Sequence, residues 1–294
     1  MVWREIVRAK KPYALEVVGD PWDLFSPGTW PNISRPIFRR IATQQLKRIC
    51  SGATAVNYVT SETLQAHYPP SKNAYAVGFS DVSLENAGIL TGTIQHRNRR
   101  LRELPWQDAK NCEPIRIGFI GSFARMYKGP DTLLHAAALC QSHLDFQLIL
   151  VGAGRYLPEM KTLAAKLSIT DRVEFRGELL SGRSIFEFLD SIDLFVVPSR
   201  AEGLPRAVVE AMSRGCPCIA SAVGGISELL EASDLVPPGS PEKLAKLILQ
   251  VAADSGRLLA MSVRNLAKVA QFSPQTLNEL RRAFLEEVKR RSSL

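Results

Sequence analysis

From residue 115 onward, short unbroken apolar runs alternate with stretches whose apolar positions recur at helical spacing, the pattern of βαβ units on a parallel sheet. The runs at 115–120, 146–151, 172–175, 193–197 and 217–220 predict strands, and the spacing between them predicts helices near 130–142, 156–167, 184–191 and 205–214. Pro130 and Pro205 suit a first helical position, where the missing amide hydrogen is not needed, and Gly215 suits a stop just past a last turn. Helices near 241–253 and 257–270 follow, and Ser273-Pro274 opens a final one running to about 291.

The first third repeats the alternation in a shorter form: strand 13–18, helix 36–50, strand 54–59, helix 61–67 and strand 74–77. About 80 residues stand where such a domain ordinarily has roughly 150. Three parallel strands leave a sheet uncovered at one edge, whereas parallel sheets are normally covered throughout. The expected architecture is α/β, with two Rossmann-like domains. Residues 1–84 form a partial first domain that lacks its start, 85–113 an inter-domain linker marked by Gly88, Gly92 and Pro105, 114–272 a full doubly wound parallel sheet, and 273–294 a helix packing back toward the first domain.

Composition changes the picture little: 294 residues, 46% hydrophobic and 22% charged, exclude disordered, collagenous and small disulfide-stapled chains. No apolar stretch approaches the roughly 20 residues of a spanning helix, and the amino terminus carries Glu5 in place of the apolar core of a secretory signal. A cytoplasmic location is expected. The five cysteines are odd in number and lack CxxC spacing, so they read as buried thiols, including Cys216 and Cys218 on an extended segment that does not converge metal ligands. The histidines, at 67, 96, 135 and 143, are scattered, and His135 reads as a structural residue of its helix.

Charge changes it more. The net +8 is concentrated in residues 1–112, which hold 15 basic and 9 acidic residues. Arg35, Arg39, Arg40, Lys47 and Arg48 fall on a predicted helix, and Arg97, Arg99, Arg100 and Arg102 in the predicted linker. Such clusters are either solvated faces or sites for anionic partners, among them the inner face of a membrane.

The chemistry concentrates in Pro198–Pro217, PSRAEGLPRAVVEAMSRGCP. Glu202 precedes the helix opened at Pro205, whose free amides and positive dipole end favour an anion such as a diphosphate. Glu210 follows roughly 7 to 8 Å further along the axis. A nucleotide sugar fits that span, with sugar hydroxyls at one carboxylate and ribose hydroxyls at the other. Rival motifs are incomplete: Gly152-Ala-Gly154 meets Leu157 where a dinucleotide fingerprint needs glycine, and Gly121–Gly129 lacks the GK[ST] of a P-loop.

Glu202 and Glu210 within that stretch, followed by AVGGISE at 222–228 and preceded by GSFARMYKG at 121–129, LILVGAG, VEFRG and DLFVVPS in order, resemble the donor-binding domain of the family 4 retaining glycosyltransferases of GT-B fold. The likeness covers about residues 114–292. It implies a retaining hexosyl-type transferase in which Glu202 contacts the donor sugar, the backbone of Gly203, Leu204 and Pro205 faces sugar and diphosphate, and Glu210 holds the ribose. It assigns Lys128 to the leaving diphosphate and places Gly121, Ser122 and Arg125 in the phosphate loop, with Arg176, Gly177 and Leu179 where the family holds the base.

The sequence departs from the family pattern in two places. Ser122 stands where the family commonly has arginine, with Arg125 in reach as a substitute, and Asp20 stands near a place often held by an acceptor-side histidine. The implied partners are a UDP- or GDP-sugar and a sugar or lipid-linked acceptor from polysaccharide biosynthesis, with no metal or other cofactor required and no nucleic acid expected. Two other readings stay open. One is a nucleotide-sugar-binding fragment that needs a second chain to complete its first domain, and the other is a basic module for membrane surfaces or nucleic acid.

Overall fold

The computed structural model describes residues 5, 8–9, 11–26, 29, 33–82, 84, 91–103 and 113–292. The first domain holds β1 (Ala14–Val17), α1 (Pro21–Leu24), α2 (Arg35–Gly52), β2 (Ala55–Tyr58), α3 (Thr63–His67) and β3 (Tyr75–Gly78). Its three strands run parallel in the order β1-β2-β3. Val17, Val56, Tyr58, Leu64 and Tyr68 are buried together between this sheet and its helices.

The second domain contains β4 (Ile115–Ile120), α5 (Pro130–Cys140), β5 (Phe146–Val151), α6 (Leu157–Lys166), β6 (Val173–Gly177), α7 (Arg183–Ser191), β7 (Leu194–Val197), α8 (Arg206–Ser213), β8 (Cys218–Ser221), α9 (Ile226–Leu229), β9 (Leu235–Val236), α10 (Pro241–Ala252) and α11 (Ser255–Val269). The helix joining the domains, Thr91–Glu103, is α4, and the last helix, Pro274–Ser292, is α12. The second sheet is parallel throughout, in the order β6-β5-β4-β7-β8-β9. This is the doubly wound arrangement, in which the chain leaves β4 toward one edge and returns at β7 toward the other. Apolar runs explain these strands: Leu148, Ile149, Leu150, Leu194, Phe195 and Val196 have 2% exposure or less, sandwiched between helices on both faces.

Element boundaries follow the capping chemistry. Pro205 is not the first helical residue but the cap, in extended conformation, with Arg206 starting α8. Ser273 accepts from the Thr276 amide at 3.2 Å and opens α12. Leu277 and Phe284 of α12 are buried against Ala55 of β2 and Phe79 after β3, so the carboxy-terminal helix lies on the first domain. The short elements α1, α9 and β9 carry too few residues to show a period in the sequence. His135 is exposed on α5, because only the other faces of that helix meet the sheet. Cys50, Cys140, Cys216 and Cys218 are free and buried, and Cys112 lies outside the described residues.

The predicted linker requires the main correction. Part of it, α4, is a helix docked on the second domain, while 85–90 and 104–112 lie outside the described residues. Nor are its arginines one solvated cluster. Arg97 is 3% exposed and donates to the carbonyls of Leu189 (2.5 Å) and Ile192 (2.7 Å) at the end of α7, where a cation meets unpaired carbonyls at the negative end of the dipole. Arg100 forks onto the buried carboxylate of Asp193 at 2.6 and 3.0 Å. A polar helix surface concealed this, because its partners lie about 90 residues downstream.

Replacing Arg97 by alanine leaves both carbonyls unpaired, and is expected to destabilise the chain by about 2–4 kcal/mol in urea unfolding. Arg97→Lys recovers only part of this, since an ammonium cannot fork across two carbonyls.

Candidate active site at the strand-order switch

β4 and β7 are neighbours from which the chain winds toward opposite edges of the sheet, the switch point outside whose carboxyl ends doubly wound sheets bind ligands in a crevice. The β4 loop ends in a single 3-10 turn, Met126–Lys128, and Gly129 then turns the chain into α5 at φ +69°. A β-carbon on Gly129 would sit 2.1 Å from the carbonyl oxygen of Pro198 in the β7 loop, so only glycine lets the two loops touch.

Across that contact Lys128 meets Glu202. The ammonium lies 2.7 and 3.0 Å from the two carboxylate oxygens, and the Ser199 hydroxyl donates to Oε1 at 2.6 Å. Glu202 is largely withdrawn from water, with 7% side-chain exposure against 18% for Lys128. The 3-10 turn is held from the same loop: the Arg200 amide donates to Tyr127 O at 2.6 Å, and its guanidinium donates to Met126 O and forks onto Asp131. Thus one loop supplies the acid and also fixes the lysine that faces it.

Past Glu202 the chain presses against the first domain. A β-carbon on Gly203 would meet Val18 O at 2.0 Å, the Gly225 amide donates to Gly203 O at 2.7 Å, and Leu204 packs on the first domain's core. The turn is followed by the start of α8, whose leading amides have no preceding helical carbonyls. Glu210 lies on the next turn, half-buried, and its side chain accepts no hydrogen bond among the described residues. Burial pushes its carboxyl up and the charge of Arg206 pulls it partly back, for a net raised pKa. A carboxylate in that state is short of donors, as expected where ligand hydroxyls bind.

The remaining sequence-selected residues are placed less centrally. Gly121 is buried directly after β4, where a β-carbon would run into the Phe119 ring and the Lys128 stem. Ser122 accepts from the Ala124 amide at 3.1 Å, and Arg125 is exposed on the same loop. Arg176 is exposed and paired with Glu174 at 2.7 Å on β6, the edge strand, while Gly177 follows at φ +80° and Leu179 packs on the core under α7.

Asp20 is buried and engaged within the first domain. Its carboxylate is 2% exposed, caps α1 through the Trp22 amide at 2.7 Å, and takes bonds from His67 (2.8 Å) and the Tyr68 hydroxyl. A buried acid needs such partners, and here all of them lie within the first domain.

Sequence reasoning missed the residue that docks the two domains. Glu228 accepts from the Ser61 amide (2.6 Å), the Glu62 amide (3.1 Å), and both the amide (2.7 Å) and hydroxyl (2.6 Å) of Thr63. It therefore caps α3 of the first domain from α9 of the second. The AVGGISE motif showed the acid, but its targets lie 165–167 positions upstream. Ser199 and the Arg200–Asp131 pin were likewise unmarked, because serine and arginine beside a strand end are ordinary loop residues.

Residues 114–254 match the family described as glycosyl transferases group 1. Over 246 residues the chain is 30% identical to protein CapJ of Staphylococcus aureus, covering 82% of this chain and 56% of that one. It is 26% identical to 2-deoxystreptamine glucosyltransferase of Streptomyces kanamyceticus, covering 85% and 63%. The chain thus spans somewhat over half the length of these relatives.

Among solved structures it resembles sucrose-phosphate synthase of Thermosynechococcus elongatus, with a TM-score of 0.72 at 21% identity over 97% of this chain and 71% of that one. It also resembles Anabaena HepE in complex with UDP and glucose, with a TM-score of 0.70 at 22% identity over 96% and 73%. With its two parallel α/β sheets and these structural likenesses the chain has the GT-B fold, and the greater part of its second domain is similar to the group 1 glycosyl transferases.

Proposed function

We propose that this chain transfers a sugar from a nucleotide-diphosphate donor to an acceptor hydroxyl with retention of anomeric configuration. The observation that carries the proposal is the Lys128–Glu202 pair, held at the mouth of the switch-point crevice beside the start of α8. On this reading the diphosphate displaces Glu202 from the ammonium. Lys128 and the helix amides then take up the charge that accumulates as the diphosphate leaves, while Glu202, freed from the lysine, accepts from the sugar hydroxyls. The acceptor oxygen bonds to the anomeric carbon on the face from which the diphosphate departs, as the bond between that carbon and the phosphate oxygen breaks, and the hydroxyl proton passes to the departing diphosphate oxygen. Lysine and helix dipole supply the charge that a divalent cation would otherwise bring, so the reading requires no metal.

Glu210 tests the donor site. Glu210→Gln is expected to weaken saturable binding of labelled UDP- and GDP-sugars by about tenfold or more, by removing charge-assisted bonds to ribose hydroxyls. A carboxylate with a raised folded pKa favours the fold while protonated, and that advantage is lost as pH rises through the folded pKa. At neutral pH the charge works against folding, so the same substitution raises Tm. Unchanged donor binding together with an unchanged Tm would remove Glu210 from the site.

A second reading is favoured by the first sheet. Among the described residues β1 pairs only with β2, and Ala14 and Glu16 are exposed along it. On that reading the transferase acts together with a second polypeptide that adds strands at β1.

A further inference from the structure

Large apolar side chains are exposed unevenly: seven of the eleven such residues among those described lie between Val18 and Ile41. Ile33, just before α2, and Ile37 and Ile41 within it recur every fourth residue and so share one face, with exposures of 99%, 62% and 56%. Phe38 flanks them, stacked on Phe25 at 6.4 Å, and the exposed Arg40, Lys47 and Arg48 border the same face. Trp22, 44% exposed, is fixed nearby by Arg39, whose guanidinium lies 3.6 Å over the ring and donates to the Trp22 carbonyl at 2.7 Å.

Between Asp23 and Glu62 the sequence has no acidic residue and five basic ones. An apolar strip whose charged neighbours on the helix are all basic has the composition of a helix that lies in a bilayer interface, burying its isoleucines below the headgroups while long basic side chains reach the phosphates. A second copy fits poorly, because two-fold pairing of this face would bring Arg40, Lys47 and Arg48 against one another with no acid to offset them.

We propose that the outer face of α2 docks on an anionic lipid membrane. In a parallel α/β layer the helix runs opposite to its strands, so the apolar amino-terminal half of α2 lies at the carboxyl ends of β1 and β2, where Val18 meets Gly203. The crevice therefore opens beside the bilayer, and an acceptor hydroxyl carried on a lipid reaches it without leaving the membrane. The docking itself is argued from the α2 surface, while the delivery of a lipid-borne acceptor rests on the proposed function.

Co-sedimentation of the full chain with equimolar phosphatidylglycerol and phosphatidylcholine vesicles, against pure phosphatidylcholine, tests it without an activity assay. Binding is expected to the anionic vesicles alone and to weaken with added salt. Each basic residue near an anionic surface contributes about fivefold in affinity. Arg40→Glu/Lys47→Glu/Arg48→Glu therefore lowers binding at least ~100-fold, and Ile37→Asp/Ile41→Asp at least ~10-fold. Val263→Asp, an exposed apolar site on α11, binds as wild type. All substituted positions are exposed, so circular dichroism and Tm should match wild type. Equal binding to both vesicle types, binding indifferent to the α2 substitutions, or an Ile37→Asp/Ile41→Asp variant that dissolves a dimer without changing vesicle binding would overturn the proposal.

Discussion

Lys128→Ala is expected to lower kcat by about 10²–10³-fold, the usual cost of removing a group aimed at developing charge in a water-poor site. The lysine is also the counter-charge of Glu202, whose carboxylate is 93% withdrawn from solvent apart from Ser199 and the ammonium. Removing it strands that carboxylate, so Tm should fall as well. The two effects separate in a double variant: Lys128→Met/Glu202→Gln removes both charges, keeps the volume and should regain most of the lost Tm while remaining inactive. A double-mutant cycle on stability should accordingly show strong coupling between the positions, and single-turnover assays with a radiolabelled donor should show no recovery of rate. If Lys128→Ala kept near-normal turnover, the ion pair would be a structural tie between two loops and nothing more.

Glu228→Ala should separate the domains. One carboxylate answers three amides at the start of α3 and the Thr63 hydroxyl, and its loss leaves those donors to water or to none. Charge-assisted bonds of this kind are worth about 1.5–3 kcal/mol when intact, and the lower figure suits a half-exposed group. Closure then becomes a population, not a fixed state. The expected signature is a larger radius of gyration in solution scattering, with a rise in KM exceeding any fall in kcat, and scattering closer to wild type when saturating donor is present.

Acid should act in the same direction. Burial pushes the Glu228 carboxyl up, but the bonds from Thr63, Ser61 and Glu62 outweigh burial and hold its pKa below the ordinary value of 4.5. A depressed carboxyl contributes its full stabilisation above the unfolded pKa and loses it as pH falls through the folded value. The interface should therefore be intact at neutral pH and loosen as acid carries the pH below the ordinary glutamate range and through the depressed folded value, and Glu228→Gln should show the open form without that pH dependence. Scattering that is identical for wild type and Glu228→Ala at every pH would mean that Leu204, Gly203 and the crossing helix α12 hold the domains unaided.

How much could be read in advance varied with the range of the interactions involved. The second domain was legible nearly element by element, since strands such as Phe146–Val151 and amphipathic helices such as Pro241–Ala252 satisfy themselves within their own neighbourhood. The candidate acids were legible too, as residues in a motif. The helix Thr91–Glu103 was not, because its arginines serve distant carbonyls and a distant aspartate and so look like an ordinary charged linker. Asp20 was legible only as an acid before a proline, open to capping the turn or to facing an acceptor, and the packing of His67 and Tyr68 over it shows that its carboxylate is already engaged within the first domain.

The sequence by itself determined the layers, the parallel winding, the helix start behind Glu202 and the acid-free stretch on α2, since periodicity, capping residues and charge act over a few neighbouring positions. Tertiary structure alone decided that Lys128 and Glu202 neutralise each other, that Glu228 caps a helix of the opposite domain, and which face of α2 remains open to its surroundings. Those facts depend on atoms that the fold brings within 3 Å of one another from positions tens to more than a hundred residues apart, and no local pattern encodes such an approach.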